Sequence, residues 1–172
     1  MNVKKQHRIR LVRALRRAEG YLELNMPHAA IDALQKCADE EEPHLYYLLG
    51  EAYRSLEQYD TALTYFERAN ALDRGHIGVL MAMGWCHKRL GRIDLAVDDL
   101  RAAAMLEPSH PIVLFNLACY LSLQGEAEEA AEYLAQAILQ DQELRELVDH
   151  EPDFDPIRDT PEFRRVLEDL AD

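Results

Sequence analysis

The sequence predicts an all-α protein built from antiparallel helix pairs stacked in series. Three observations carry that prediction. Alanine and leucine are abundant, β-branched residues are few, and only 7 of the 172 residues are glycine. That composition favours helix. Small residues recur at a fixed interval, with Ala30, Ala62, Ala96 and Ala130 spaced 32, 34 and 34 apart. Each has a small residue ahead of it (Ala18, Gly50, Gly84, Ala118) and a large apolar one four positions on (Leu34, Phe66, Leu100, Leu134). Three positions further comes another small residue (Cys37, Ala69, Ala103, Ala137). Two antiparallel helices approach closely only where the side chains at their crossing are small. One pair cannot bury both of its apolar faces, so it stacks on the next.

The clearest unit runs from Ile77 to Pro108. Gly84 and Ala96 supply its small crossing, Gly91 its turn, and Pro108 its end. Local signals elsewhere agree. Pro43 and Pro111 suit the first turn of an opening helix, where a missing N–H is no loss. Gly91 and Gly125 suit helix C-termini that need a left-handed residue. Asp60, Asp94 and Glu128 fall in the first turn of a second helix, where the helix dipole favours negative charge. The end of the chain differs. Residues 143–149 read as one short helix. Pro152, Pro156 and Pro161 then impose an extended stretch with turns. Thr160 is a good N-cap and Pro161 a good first residue for a final helix over 161–170. Phe154, Ile157, Phe163 and Leu167 are the apolar residues of this tail.

Composition excludes several classes of function. A hydrophobic share of 48% against 30% charged residues lets the chain bury a core and stay soluble. No run of about 18 apolar residues exists, so no membrane-spanning helix is expected. The first 20 residues lack a signal-peptide core and cleavage site. Cys37, Cys86 and Cys119 are odd in number and widely spaced, so neither a disulfide framework nor a zinc site is expected, and a reducing cytoplasm fits. The seven histidines form no H-x-x-x-H, and there is no phosphate loop or nucleophile elbow, so no catalytic residues, metal or cofactor are expected. Net charge is −13, unevenly spread. Residues 1–17 hold seven Lys/Arg (Lys4, Lys5, Arg8, Arg10, Arg13, Arg16, Arg17) and no acid, leaving 12 bases against 32 acids in the rest. An acidic body argues against nucleic acid as a partner, because phosphate contacts need clustered bases. The basic start reads as the solvated face of the first helix, with Ile9, Val12, Leu15 and Leu22 on its buried side. An acidic partner or an anionic surface is the other reading of it.

These spacings resemble the tetratricopeptide repeat. The family's pattern of an aromatic or apolar residue, Leu-Gly, Tyr, Ala, an aromatic, Ala and Pro is met in 43–76 by Tyr46, Leu49-Gly50, Tyr53, Tyr59, Ala62, Phe66 and Ala69, with Arg74 in place of the closing proline. Residues 77–110 supply Leu80, Gly84, Gly91, Ala96, Leu100, Ala103 and Pro108. Residues 111–142 supply Leu114, Leu117-Ala118, Leu121, Gly125, Ala130, Leu134 and Ala137. The first repeat, 11–42, is the most degenerate, with Ala14, Ala18, Tyr21, Ala30, Leu34 and Cys37. Its shorter spacing implies a shortened connection near Glu40, Glu41 and Glu42. The resemblance implies a right-handed superhelical solenoid of four helix pairs over 11–142, with 1–10 extending the first helix. Residues 143–172 are then a helical cap, similar to closing segments in many bacterial members of the family.

The resemblance also implies a concave groove lined by the first helix of each pair. Its residues are Leu15, Glu19 and Leu22; His44, Tyr47, Glu51 and Arg54; Met81, Trp85, Lys88 and Arg89; and Ile112, Phe115, Cys119 and Leu123, with Asn116 nearby. An apolar stripe of Leu15, Tyr47, Met81, Trp85 and Phe115 results, edged by both charges. Trp85 and Tyr47 are residue types that anchor interfaces. The same aromatics at helical spacing also suit a core, and the groove can be filled in cis. The carboxylate clamp of some family members is not expected, since Leu15, Glu19, Leu48, Met81 and Trp85 hold its positions. The expected function is a non-enzymatic scaffold or adaptor taking an apolar or amphipathic peptide or helix from a protein partner. The alternatives are a self-associating assembly protein and a chaperone for a specific client.

Overall fold

The computed structural model describes residues 3–37 and 41–170. Ten α-helices are placed among them: α1 (Val3–Glu23), α2 (Pro27–Gln35), α3 (Pro43–Ser55), α4 (Tyr59–Leu72), α5 (Ile77–Arg89), α6 (Ile93–Leu106), α7 (Pro111–Gln124), α8 (Ala127–Gln140), α9 (Leu144–Val148) and α10 (Pro161–Asp169). A single 3-10 turn covers Pro152–Phe154. The all-α class read from composition and spacing is what the chain adopts. The connection expected near Glu40 lies in part outside the described residues.

The chain divides into two compact units, residues 1–86 and 87–172, with the boundary inside α5. In the first unit α1 packs on α2, α3 on α4, and α3 also on α1 and α2. Leu34, Leu45 and Phe66 are completely buried there, among Ala18, Ala30 and Ala62. In the second unit α7 packs on α6 and α8, while α8 also carries α9 and α10. Its core is Val97, Leu100, Leu114, Leu117, Leu121 and Leu134, closed by Phe154, Ile157 and Phe163. All three of those last residues come from the tail. The Thr160 hydroxyl accepts a hydrogen bond from the Phe163 amide at 3.4 Å, capping α10 where the sequence placed its start.

The turn inside each helix pair recurs with the same hydrogen bonds. Met26, Gln58, Arg92 and Glu126 donate their amides to the carbonyls of Tyr21, Tyr53, His87 and Leu121, at 2.7, 2.9, 2.9 and 3.0 Å. The residues just before them, Asn25, Glu57, Gly91 and Gly125, donate to Leu22, Arg54, Lys88 and Ser122. This is the paired bonding of a Schellman cap, which needs a left-handed residue at its centre. The four residues have φ of 54, 58, 72 and 82°. Glycine meets that requirement without strain and asparagine tolerates it, but glutamate does neither.

Gly50 sets the crossing of α3 and α4. A Cβ there would lie 2.4 Å from a ring carbon of Phe66, which is itself fully buried. No flexible end is available to give way, so a methyl group displaces either the ring or the helix. Gly50→Ala is expected to lower unfolding free energy by about 1–3 kcal/mol, and Phe66→Leu in the same chain to recover part of that loss; denaturant titration measures both. Glu57→Gly is expected to raise stability by about 1 kcal/mol through relief of left-handed strain, with Asn25→Gly changing it far less.

Candidate functional site

One stripe of α3 stays out of the core, with His44 exposed and Tyr47, Glu51 and Arg54 half-buried. His44, Tyr47, Glu51 and Arg54 follow each other at steps of 3, 4 and 3 along the helix, so they share a face. Leu45, Tyr46, Leu48, Leu49, Gly50 and Ala52 occupy the remaining faces and are buried. On α5, Ile77, Met81 and Trp85 form a comparable half-exposed row at steps of four, while Val79, Leu80, Ala82, Met83 and Cys86 are buried. On α1, Leu15, Glu19 and Leu22 are half-buried.

The contacts join these rows into one surface within the first unit. Glu19 and His44 meet at 2.7 Å. The His44 ring stacks on Tyr47 with centroids 6.1 Å apart, and Tyr47 also contacts Phe66 and His76 at 6.0 Å. Glu51 grips Arg54 with both oxygens, at 3.0 and 2.6 Å. The fixed guanidinium lies 5.0 Å from the centroid of the Trp85 ring. Tyr59 meets the same indole edge-on at 5.4 Å. A cation held over an aromatic face contributes on the order of 0.5–2 kcal/mol, and here it also fixes the orientation of the indole. Sequence reasoning named Glu19, Tyr47, Glu51, Arg54 and Trp85 for this surface, and the structure brings all five together. It missed the parts played by Tyr59 and His76. Both sit at element starts rather than on the first helices searched, and Tyr59 had been assigned to the repeat pattern alone.

Electrostatics follow the packing. Burial pushes the Tyr47 phenol above its ordinary value, the Glu51 carboxylate adds to the rise, and Arg54 opposes it. The hydrogen bond to Glu51 raises the already high value of Arg54, so this cation is permanent. Among the described residues no group of three or more His, Cys, Asp or Glu is arranged to hold a metal ion.

In the second unit the expected groove residues meet a different fate. Phe115 is 6% exposed and Cys119 2% exposed. The Phe154 ring stands edge-on to Phe115 at 5.6 Å and in turn contacts Phe163 at 5.3 Å. The turn Pro152–Phe154 packs on α7, so Phe115 and Cys119 line core rather than an open surface. The physical reason is that α7 carries apolar residues on most of its circumference, and the tail buries a side its helical neighbours leave. The Lys88 ammonium pairs with the Asp153 carboxylate of this turn and lies 5.5 Å from the Tyr120 ring centroid. Burial, with Glu151 and Asp153 nearby, pushes the Cys119 thiol strongly upward. Asn116 is half-buried and Arg89 exposed.

Two family models described as tetratricopeptide repeat match the chain, over residues 43–76 and 81–144. Protein bimA of Emericella nidulans is 29% identical over 89 residues, 48% of this chain; the chain spans only 11% of that relative's length. A MamA fragment from Desulfovibrio magneticus RS-1 has the same fold, with a TM-score of 0.71 at 20% identity over 95% of this chain and 97% of that one. YrrB, described as a TPR protein with an unusual peptide-binding site, gives 0.66 at 27% identity over 73% of this chain and 66% of that one.

Two outcomes are expected. Folding favours the neutral Tyr47 phenol, so its contribution is complete below pH 10.0, its ordinary value, and is lost as pH rises through the higher folded-state value. Tyr47→Phe therefore flattens the alkaline fall in stability, measured by thermal melts across that range. Cys119 resists an aromatic disulfide reagent in the native chain. Phe154→Ala, which lowers stability by about 3–5 kcal/mol, makes it react at least tenfold faster.

Proposed function

We propose that this chain, which has the tetratricopeptide-type repeat fold, is a protein-interaction scaffold that binds an apolar or amphipathic peptide or helix on the α3–α5 surface. Proteins of this fold generally act as interaction scaffolds. The observation that carries the finer reading is the fixed, half-exposed indole of Trp85, held between Arg54 and Tyr59 beside Tyr47. A side chain of that size loses little freedom on binding when its orientation is already set, so burying it gives a favourable surplus. Glu51 and Arg54 neutralise each other, which leaves the aromatic faces to choose the partner. Glu19 and His44 at the other end supply polar groups for register. The description of YrrB as peptide-binding supports the same use of the fold. Three buried cysteines, none of them in a disulfide, fit a reducing compartment such as the cytoplasm.

Selection of a displayed peptide library on the full chain tests the reading. Enriched peptides are expected to carry apolar anchors at helical spacing and to shift Trp85 fluorescence on binding. Trp85→Ala is expected to weaken them by tenfold or more, and Tyr47→Ala by a similar factor. Peptides that bind both variants within twofold of the parent chain would contradict it.

A further inference from the structure

The first helix exposes a surface that the groove does not use. Ile9 and Val12, expected on the buried side of this helix, are instead each 40% exposed, and Arg8, Arg10, Arg13 and Arg16 are exposed around them. Two shallow troughs flank the helix. One, of about 470 Å³, has Arg10, Arg13, Arg17 and Lys36 around an apolar floor of Ala14 and Ala33. The other, of about 530 Å³, is lined by Arg8, Ile9, Val12, Arg13 and Arg16. No acid stands in the first turn of α1. Like charges three and four residues apart repel one another. An acidic partner along this face offsets that repulsion.

The second unit carries a surface of opposite character. Leu139 is 68% and Leu147 53% exposed. A trough of about 340 Å³ beside them is lined by Ile138, Leu139, Leu170, Glu146 and Asp169, with Gln142 and Arg145. Residues 139–149 hold four acids, Asp141, Glu143, Glu146 and Asp149, against the single base Arg145. That base is engaged by Asp149 at 3.6 Å. An apolar centre with an acidic rim is the complement of an apolar centre with a basic rim.

We propose that the basic, apolar face of α1 docks the acid-rimmed face of α8–α10 on a second copy of this chain. The contact joins unlike surfaces and is heterologous. Repetition of it closes into a ring or runs on as an open chain, according to the rotation between copies. Ile9 and Val12 cover Leu139 and Leu147, while Arg13 and Arg16 meet Glu143 and Glu146. Tyr47 and Trp85 take no part, so loss of this contact leaves peptide binding unchanged.

Sedimentation velocity of the full chain against concentration tests the contact, at about 0.05 M and about 1 M salt. The Debye length falls from over 10 Å to about 3 Å between those conditions. The expected result is reversible association at low salt and monomer at high salt. Two double variants reverse one surface each: Arg13→Glu with Arg16→Glu, and Glu143→Lys with Glu146→Lys. All four side chains are exposed, and circular dichroism checks that both variants fold. Each alone is expected to lose at least tenfold in association. An equimolar mixture of the two is expected to regain it, because reversed then meets reversed. A monomer at every concentration in low salt overturns the proposal. So does association that either variant retains, or a mixture that stays monomeric. Binding of the monomer to anionic vesicles or to an acidic peptide, without self-association, assigns the α1 face to another occupant and also overturns it.

Discussion

Two helices of a pair can lie close together only where a residue at their crossing is small. At Gly50 there is room for a hydrogen atom and nothing larger, because the Phe66 ring fills the crossing. That contact fixes how α3 lies on α4, and so fixes which stripe of α3 stays out of the core. The stripe is His44, Tyr47, Glu51 and Arg54, and its place follows from helical geometry once Gly50 is seated. Ala18 with Ala30, and Ala118 with Ala130, are likewise fully buried. The small residues therefore act on function at one remove: they do not touch a partner, but they decide which side chains can.

The turn that follows each first helix makes the second contribution. The same two hydrogen bonds close it at Asn25, Glu57, Gly91 and Gly125. A turn of fixed shape gives each pair the same exit direction, so the crossing recurs in register. Among the described residues, Glu57 is the one with a full side chain and no special tolerance that accepts the left-handed conformation. The packing around Gly50 and Phe66 is strong enough to hold it there.

Much of this was legible in the sequence because the crossing imposes a period. A small residue every 32–34 positions can be read without knowing any contact, and so can Gly91, Gly125 and the Thr160-Pro161 start of α10. Tyr47, Arg54 and Trp85 were named through the resemblance to the tetratricopeptide repeat, whose first helices line a groove, rather than from the period alone. The burial of Phe115 and Cys119 was not legible, because their fate depends on a segment about 40 residues later. The tail's prolines announce turns but do not say where Phe154 goes. Its ring against Phe115, with Lys88 paired to Asp153, is tertiary information that periodicity does not contain. Tyr59 escaped notice for a related reason. It opens α4, a second helix, and meets Trp85 of α5, so a search of first-helix faces passes over it.

Packing leaves the Trp85 indole half-exposed and fixed in orientation by Arg54 and Tyr59. It is the only tryptophan in the chain, so its emission reports on this site alone. Acrylamide quenching of the free, full-length protein measures it directly. A red-shifted maximum and efficient quenching, unchanged on dilution, are expected. A blue-shifted maximum with emission protected at every dilution would place the indole in core and contradict that half-exposed placement.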